Sequence, residues 1–480
     1  MLVFSETLHP TTVHTVLVVS FCASACACLA LLAHALVDKR KALTRYANYP
    51  SSPPPEPVKK TAPADYTTVY PPSQRHVLPE ISPDFVSNDV DLSVTPRPLL
   101  RLDEDYRRAS PSTFNFTSFS VDEIRRLGDF PDYAKLSGVP LPEPLKSFNV
   151  DKALPRPYRP FRWAYHQTMS LKKMDPDFWI EIENTYRERV AQRQSLYAKH
   201  GSDVLQALPG SELACKELME MVIQFICARY PQSFELHSRI FVNHLLGVKE
   251  DLDQIEPLVF LINHVPEDFA LTLRDPATGR YCFRAGVICS SVGWKLSEKI
   301  GLGLPEIHAP VPDYKEKMEF SMDRFFTKMP TNSPIQRGSW GLEVGQPLFI
   351  PAEDPEFKIR EVQSSSLTES DLHLRVDWQT LRRLPLSGAI VFNFKALFTP
   401  MIEFRDEPYV PSLVLKVLTE GKENIMRYKG TWHVEHVAKP TLRKWEREQI
   451  EKGLIPADWE VTTLAENPFF PGWERKWSVS

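Results

Sequence analysis

Two histidines stand in settings that suggest more than packing. His308 lies in Ile307-His308-Ala309-Pro310-Val311-Pro312-Asp313-Tyr314, and His264 in Asn263-His264-Val265-Pro266. Imidazole is a neutral nitrogen donor near neutral pH. The prolines at 310 and 312 stiffen the backbone and restrict the ring of His308. The plainer reading of His308 is a helix-start histidine that only hydrogen-bonds the backbone. Four arginines follow: Arg337, Arg375, Arg382 and Arg383. A guanidinium grips a carboxylate in bidentate fashion, although solvated strand positions would explain at least two of them. Arg382 and Arg383 are neighbours, so they cannot face the same side of one regular strand. Arg274-Asp275 reads as a turn-stabilising pair or part of a pocket, with structure the preferred role. Tyr314 and Trp340 are candidates to line a pocket, or aromatic core.

The elements that must hold these residues follow from periodicity. A helical run covers Lys315 to Met329, and strand-like runs cover Ile335–Phe349, Leu372–Leu384 and Ala389–Phe398. In the middle strand, Leu372, Leu374, Val376 and Trp378 point to one face, and His373, Arg375, Asp377 and Gln379 to the other. Upstream, Phe269–Leu273 and Tyr281–Ser290 read as strands around a turn at Asp275–Arg280, where Pro276 and Gly279 fit turn positions. Trp294–Ile300 reads as a short helix ended by Gly301-Leu302-Gly303, a glycine pair without the spacing of a dinucleotide loop. Amphipathic helices are expected at Asp177–Lys199 and Ser211–Tyr230, and closing helices at Ser412–Leu418 and Thr441–Lys452. The fold class is therefore α+β. The order of two strands, short helices, a longer helix and three strands is that of a PAS-like antiparallel sheet with flanking helices. Such a sheet, with an apolar face, a helix beside it and His308 near the helix start, suits a flat apolar cofactor.

The chain has 480 residues and a net charge of −4, with acids and bases interspersed, so a nucleic-acid partner is not expected. Cys22, Cys26 and Cys28 lie in an apolar N-terminal run, and Cys215, Cys227, Cys282 and Cys289 are scattered without a C-x-x-C pair. That pattern supports neither zinc nor iron–sulfur ligation and suits buried thiols in a reducing compartment. After a short tail at 1–12, residues 13–37 are apolar enough for a transmembrane anchor. Lys39, Arg40, Lys41 and Arg45 follow it, placing the C-terminal side in the cytosol, with the endoplasmic reticulum the expected membrane. Residues 38–110 form a Pro-rich flexible tether and 111–160 an extended lead-in. The main domain is expected at 161–455, its PAS-like core at about 260–400, and a C-terminal tail at 456–480. The sequon at Asn115 and the Asp89-Val90-Asp91 match read as chance occurrences.

From Phe161 to about Lys444 the sequence resembles the haem-dependent oxidative N-demethylase family, whose fungal members are called HRQ family proteins. The resemblance is carried by LKKMDPDFWIEIENTY at Leu171–Tyr186, VLQALPGSE at Val204–Glu212, Leu273-Arg274-Asp275, IHAPVPDY at Ile307–Tyr314, IQRGSWGLE at Ile335–Glu343 and RVDWQTLRRLPLSGAIVF at Arg375–Phe392. Trp378 departs from the charged residue expected there, and the N-terminal anchor and tether lie outside the bacterial pattern. The resemblance implies a haem b pocket with His308 as iron ligand and His264 as its rival. Arg337, Arg375 and Arg383 would pair with the propionates, and Tyr314 and Trp340 would line the pocket. It also implies O₂, a secondary amine or related metabolite hydroxylated at the α carbon, and electrons from a separate reductase. The runner-up is a non-catalytic haem or ligand sensor, or a membrane scaffold. A lumenal glycosyltransferase would require the reverse topology.

Overall fold

The structure, a computed structural model, describes residue 117 and residues 119–477 apart from 167 and 276–278. The expected anchor and tether lie outside the described residues. Among the described residues, no helix is long and apolar enough to cross a membrane. In chain order the helices are α1 (Val121–Leu127), α2 (Tyr133–Ser137), α3 (Tyr186–His200), α4 (Glu212–Arg229), α5 (Pro257–His264), α6 (Leu296–Lys299), α7 (Leu304–Ile307), α8 (Tyr314–Lys317), α9 (Glu319–Lys328), α10 (Val410–Glu420), α11 (Glu423–Lys429) and α12 (Trp432–Glu451). The strands are β1 (Lys172–Lys173), β2 (Leu205–Ala207), β3 (Phe234–His237), β4 (Ile240–Asn243), β5 (Val248–Asp251), β6 (Asp268–Arg274), β7 (Tyr281–Val287), β8 (Ile335–Val344), β9 (Leu372–Arg383) and β10 (Ile390–Pro400).

Seven strands form an antiparallel sheet in the order β1-β8-β9-β10-β6-β7-β2. Its long members are rich in β-branched and aromatic residues, which suit a pleated, half-buried surface. One face is covered end to end. Leu271, Val287 and Val391 pack on it against α4 and α5, while Leu342, Leu374, Val376 and Trp378 pack against α10 and α12. The alternation expected for Leu372, Leu374, Val376 and Trp378 is thus observed. Among the described residues, the other face carries two small clusters, supplied by α6–α9: Leu381 and Ile390 with Tyr281, Tyr314 and Phe326, and Phe283 and Phe394 with Leu296.

Several elements differ from expectation. The helix expected from Asp177 is a single 3₁₀ turn at Pro176–Phe178, and α3 begins only at Tyr186. Polar side chains hold the stretch between against the sheet. Trp179 Nε1 donates to Asn393 Oδ1 at 3.1 Å, and Glu183 pairs with Lys395 at 2.7 Å while accepting from Thr185 N and Oγ1. The helix expected over Lys315–Met329 breaks at Met318 into α8 and α9. The lead-in is not wholly extended. Ser120 and Glu123 form a capping box on α1, and Ile124, Tyr133 and Leu136 are buried. A three-stranded sheet, β3-β4-β5, stands where no strand was expected. The C-terminal tail folds back, with Phe470 buried and Asn467 Nδ2 donating to Phe161 O at 2.9 Å.

Candidate functional site

Strand register lays out a half-buried strip, the candidate cleft, on the thinly covered face. Arg337, Gln379 and Phe394 are directly opposed across β8, β9 and β10, and so are Ile335, Leu381, Phe392 and Ala270 in the next row. Phe392, Ala270, Gln379 and Arg337 remain half-buried, as do Ile300 and Ile307 on the segment facing them. An apolar sheet face left partly open, with polar groups at one edge, has the shape a planar apolar group requires.

His308 caps the C-terminal end of α7 and does not start a helix. Its Nδ1 lies 2.8 Å from Leu304 O, an acceptor only, so Nδ1 carries the proton. Nε2 therefore holds a lone pair, and no described residue hydrogen-bonds it. Its ring stacks on Tyr314 at a centroid distance of 5.0 Å and an interplanar angle of 9°. Burial, reinforced by the Lys299 and Arg337 charges against the backbone hydrogen bond to Leu304, depresses its pKa to about 4. The ring is thus neutral at physiological pH, the form that ligates metals.

His264 shows the opposite tautomer. Asn243 Nδ2 donates to its Nδ1 at 3.2 Å, which leaves the proton on Nε2. The ring is enclosed by Phe241 and Phe260, and burial lowers its pKa to about 3. It sits on the covered side of the sheet, remote from the cleft in the fold.

The arginines separate cleanly. Arg383 is consumed by structure: Nε donates to Met329 O at 2.6 Å, Nη1 to Tyr281 Oη at 2.7 Å and Gly388 O at 2.8 Å, and Nη2 to Phe326 O. Arg375 donates to Asp377 Oδ1 at 2.9 Å, Pro347 O at 2.8 Å and Ser290 O. Arg382 points to the opposite face, its guanidinium 4.1 Å from the centroid of the Trp179 ring, as strand alternation requires. Arg337 differs from all three. Its Nε is enclosed without a hydrogen-bond partner, and no described carboxylate pairs with it. Burial, with Arg162 nearby, lowers its pKa despite the opposing effect of Tyr165. Arg162 also lacks a carboxylate partner among the described residues, and burial lowers its pKa too. Lys172 is exposed, donates to Asn467 O and pairs with Gln336, so it faces the covered side of the sheet. Two neighbouring cations without anions favour an anionic ligand.

Trp340 lies on the covered face, edge-on to Phe161 at 5.0 Å, and does not line the cleft. Arg274 donates to Gly279 O at 3.3 Å, so its role in the turn is observed. Gln379, Phe392, Phe394 and Arg162 were not singled out as site residues. Only the β8–β9–β10 register brings the first three beside Arg337, and that register depends on long-range pairing.

Residues 170–439, more than half of the chain, match the family described as haem-dependent oxidative N-demethylase, alpha subunit-like. The chain belongs to this family. A haem is therefore the planar group against which the cleft is to be judged. The fit rests on the Nε2 lone pair of His308, which no described residue hydrogen-bonds, and on Arg337, whose Nε is enclosed without a partner and whose charge acts on His308. Among the described residues no cluster of three or more His, Cys, Asp or Glu side chains could hold a bare metal ion. A haem asks for less, since the porphyrin supplies the other donors.

Proposed function

We propose that this protein is a haem-dependent monooxygenase that removes an N-methyl group from a secondary amine or oxidises a related small metabolite. The observation that carries the reading is a neutral imidazole with an unbonded Nε2, close enough to the unpaired Arg337 to feel its charge, beside an apolar and partly open sheet face. The core of five antiparallel strands, β6 to β10, with short helices between β7 and β8, supports a PAS-like description. His308 would hold the iron of haem b, the proposed cofactor, and Arg337 and Arg162 would hold its propionates.

When bound, the haem supplies oxygen activation. The chain does the rest. Leu304 O holds the Nδ1 proton of His308 and so fixes the ring, as an outer hydrogen bond does for metal-bound histidines. Phe392, Phe394 and Ala270 exclude water from one side of the cleft. Gln379 makes no side-chain hydrogen bond to a described residue, and its carbonyl can accept from the substrate N–H. No flavin or iron–sulfur motif stands in the sequence, so a separate reductase is the proposed electron source. The apolar run at 13–37 and the basic residues after it support a membrane-tethered protein with its domain in the cytosol.

The test is turnover. Haem-loaded full-length protein, given a reductase and O₂, should release formaldehyde in proportion to an N-methyl amine consumed. Haem binding without amine-dependent oxygen consumption across a broad panel of secondary amines would overturn the enzymatic reading.

A further inference from the structure

A continuous file of aromatic rings leads from the sheet to the surface on the side away from the cleft. Trp378 stands in β9 next to Gln379 and faces the opposite way, so one strand separates it from the proposed haem site. Its ring stacks on Tyr158 with centroids 3.8 Å apart and 12° between planes. Tyr158 lies 5.3 Å from Phe469, Phe469 lies 4.0 Å from Trp473, and Trp473 lies 5.6 Å from Trp477. The first two rings are buried, and the last two are part-exposed. Packing alone would be served by leucine or phenylalanine. Instead, every ring but Phe469 is a type that can lose an electron.

We propose that Trp378, Tyr158, Trp473 and Trp477 form a path along which oxidising equivalents leave the haem site when no amine is there to consume them. This rests on the haem reading of the cleft.

The proton inventory of the path supports that role. Trp378 Nε1 is buried without a hydrogen-bond acceptor, so the oxidised indole has nowhere to lose its proton and passes the electron deficit on. Tyr158 has an acceptor: its hydroxyl donates to Glu181 Oε2 at 3.2 Å. Arg156 holds that carboxylate, with its backbone N–H 2.9 Å from Oε1 and its Nε 3.3 Å from Oε2. In the proposed sequence Trp378 gives an electron to the oxidised haem site and is refilled by Tyr158, whose phenolic proton moves to Glu181. Trp473 refills Tyr158 across the Phe469 ring, and the proton returns from Glu181. A thiol at the surface then restores Trp473 through Trp477. For a hydroperoxide oxidant, two such passages balance: two thiols become one disulfide, and the hydroperoxide becomes an alcohol and water.

The test uses haem-loaded full-length protein, an alkyl hydroperoxide and no amine, with and without thiol. Freeze-quench paramagnetic resonance should show an organic radical, and peptide mass mapping should find oxidised tryptophan at positions 473 and 477. Tyr158→Phe should lower that oxidation several-fold and speed haem bleaching, while the absorption and circular dichroism spectra stay as in the parent. The double variant Trp473→Phe/Trp477→Phe should bleach faster and lose the protection thiol gives. A haem-loaded protein in which Tyr158→Phe leaves both the modification pattern and the bleaching rate unchanged overturns the path alone. A protein that takes up no haem overturns the functional reading, and the path with it.

Discussion

At the scale of single residues, two histidines of similar promise are told apart by one hydrogen bond each. Leu304 O fixes the proton of His308 on Nδ1, and Asn243 fixes that of His264 on Nε2. Both the His308 motif and the two candidate rings were legible in the sequence. The tautomers were not, because they depend on partners brought together by folding. The same holds for the arginines. Arg337 and Arg383 sit on the same face of neighbouring strands, yet only Arg383 finds backbone carbonyls at the end of α9. Arg337→Met is expected to weaken haem binding roughly tenfold to a hundredfold, the ~1.5–3 kcal/mol of a hydrogen bond to a charged group. Haem transfer to a scavenging apoprotein measures it. Arg383→Met is expected instead to lower stability by ~3 kcal/mol or more, since several buried carbonyls lose their donor. Chemical denaturation measures that. Burial lowers the folded pKa of His264 from 6.5 to about 3, so the unfolded chain takes up the proton first. The stability of the neutral ring is full above pH 6.5 and is lost as the pH falls toward 3. Glu217 and Glu267, raised by burial to about 7, act the other way: their contribution is present below their usual 4.5 and is lost as the pH rises through 7. His264→Gln should therefore narrow the drop in thermal midpoint between neutral and mildly acidic pH. A drop as large as in the parent contradicts the assignment.

At the scale of elements, strands were read more faithfully than helices. The long strands β9 and β10 announce themselves by alternation, and their bounds shift by only a residue or two. The helix expected from Asp177 failed because Trp179, Ile182 and Tyr186 are buried by a polar-tethered stretch that mimics helical spacing. The short lead-in helices and the β3-β4-β5 sheet carry too few periods to be seen. The tail was missed because its anchor is a tertiary ion pair elsewhere. Arg159 Nε and Nη2 meet Glu407 Oε2 and Oε1 at 2.7 and 2.6 Å, both side chains buried, and Arg159 N donates to Pro468 O. This clamp joins the lead-in, the turn after β10 and the tail. Arg159→Ala leaves a buried carboxylate unpaired and is expected to cost ~3–5 kcal/mol in urea unfolding, whereas Arg159→Met with Glu407→Leu should cost much less.

At the scale of the whole molecule, the two faces of the large sheet are covered unequally. We propose that the thinly covered face would hold a haem between Phe392 and His308, with its charged edge at Arg337. The sequence resemblance anticipated the family, and the structure adds two groups that a haem would satisfy, the Nε2 lone pair of His308 and the unpaired charge of Arg337. The measurement that tests this most directly is a haem titration of the full-length protein followed by absorption spectroscopy, with His308→Ala and His264→Ala alongside. The account predicts one haem per chain in the parent and in His264→Ala with the same ligand-field spectrum. His308→Ala, folded by circular dichroism, should give a shifted or absent band that added imidazole partly restores. A parent protein that takes up no haem, or a His308→Ala protein whose spectrum matches the parent, would contradict it.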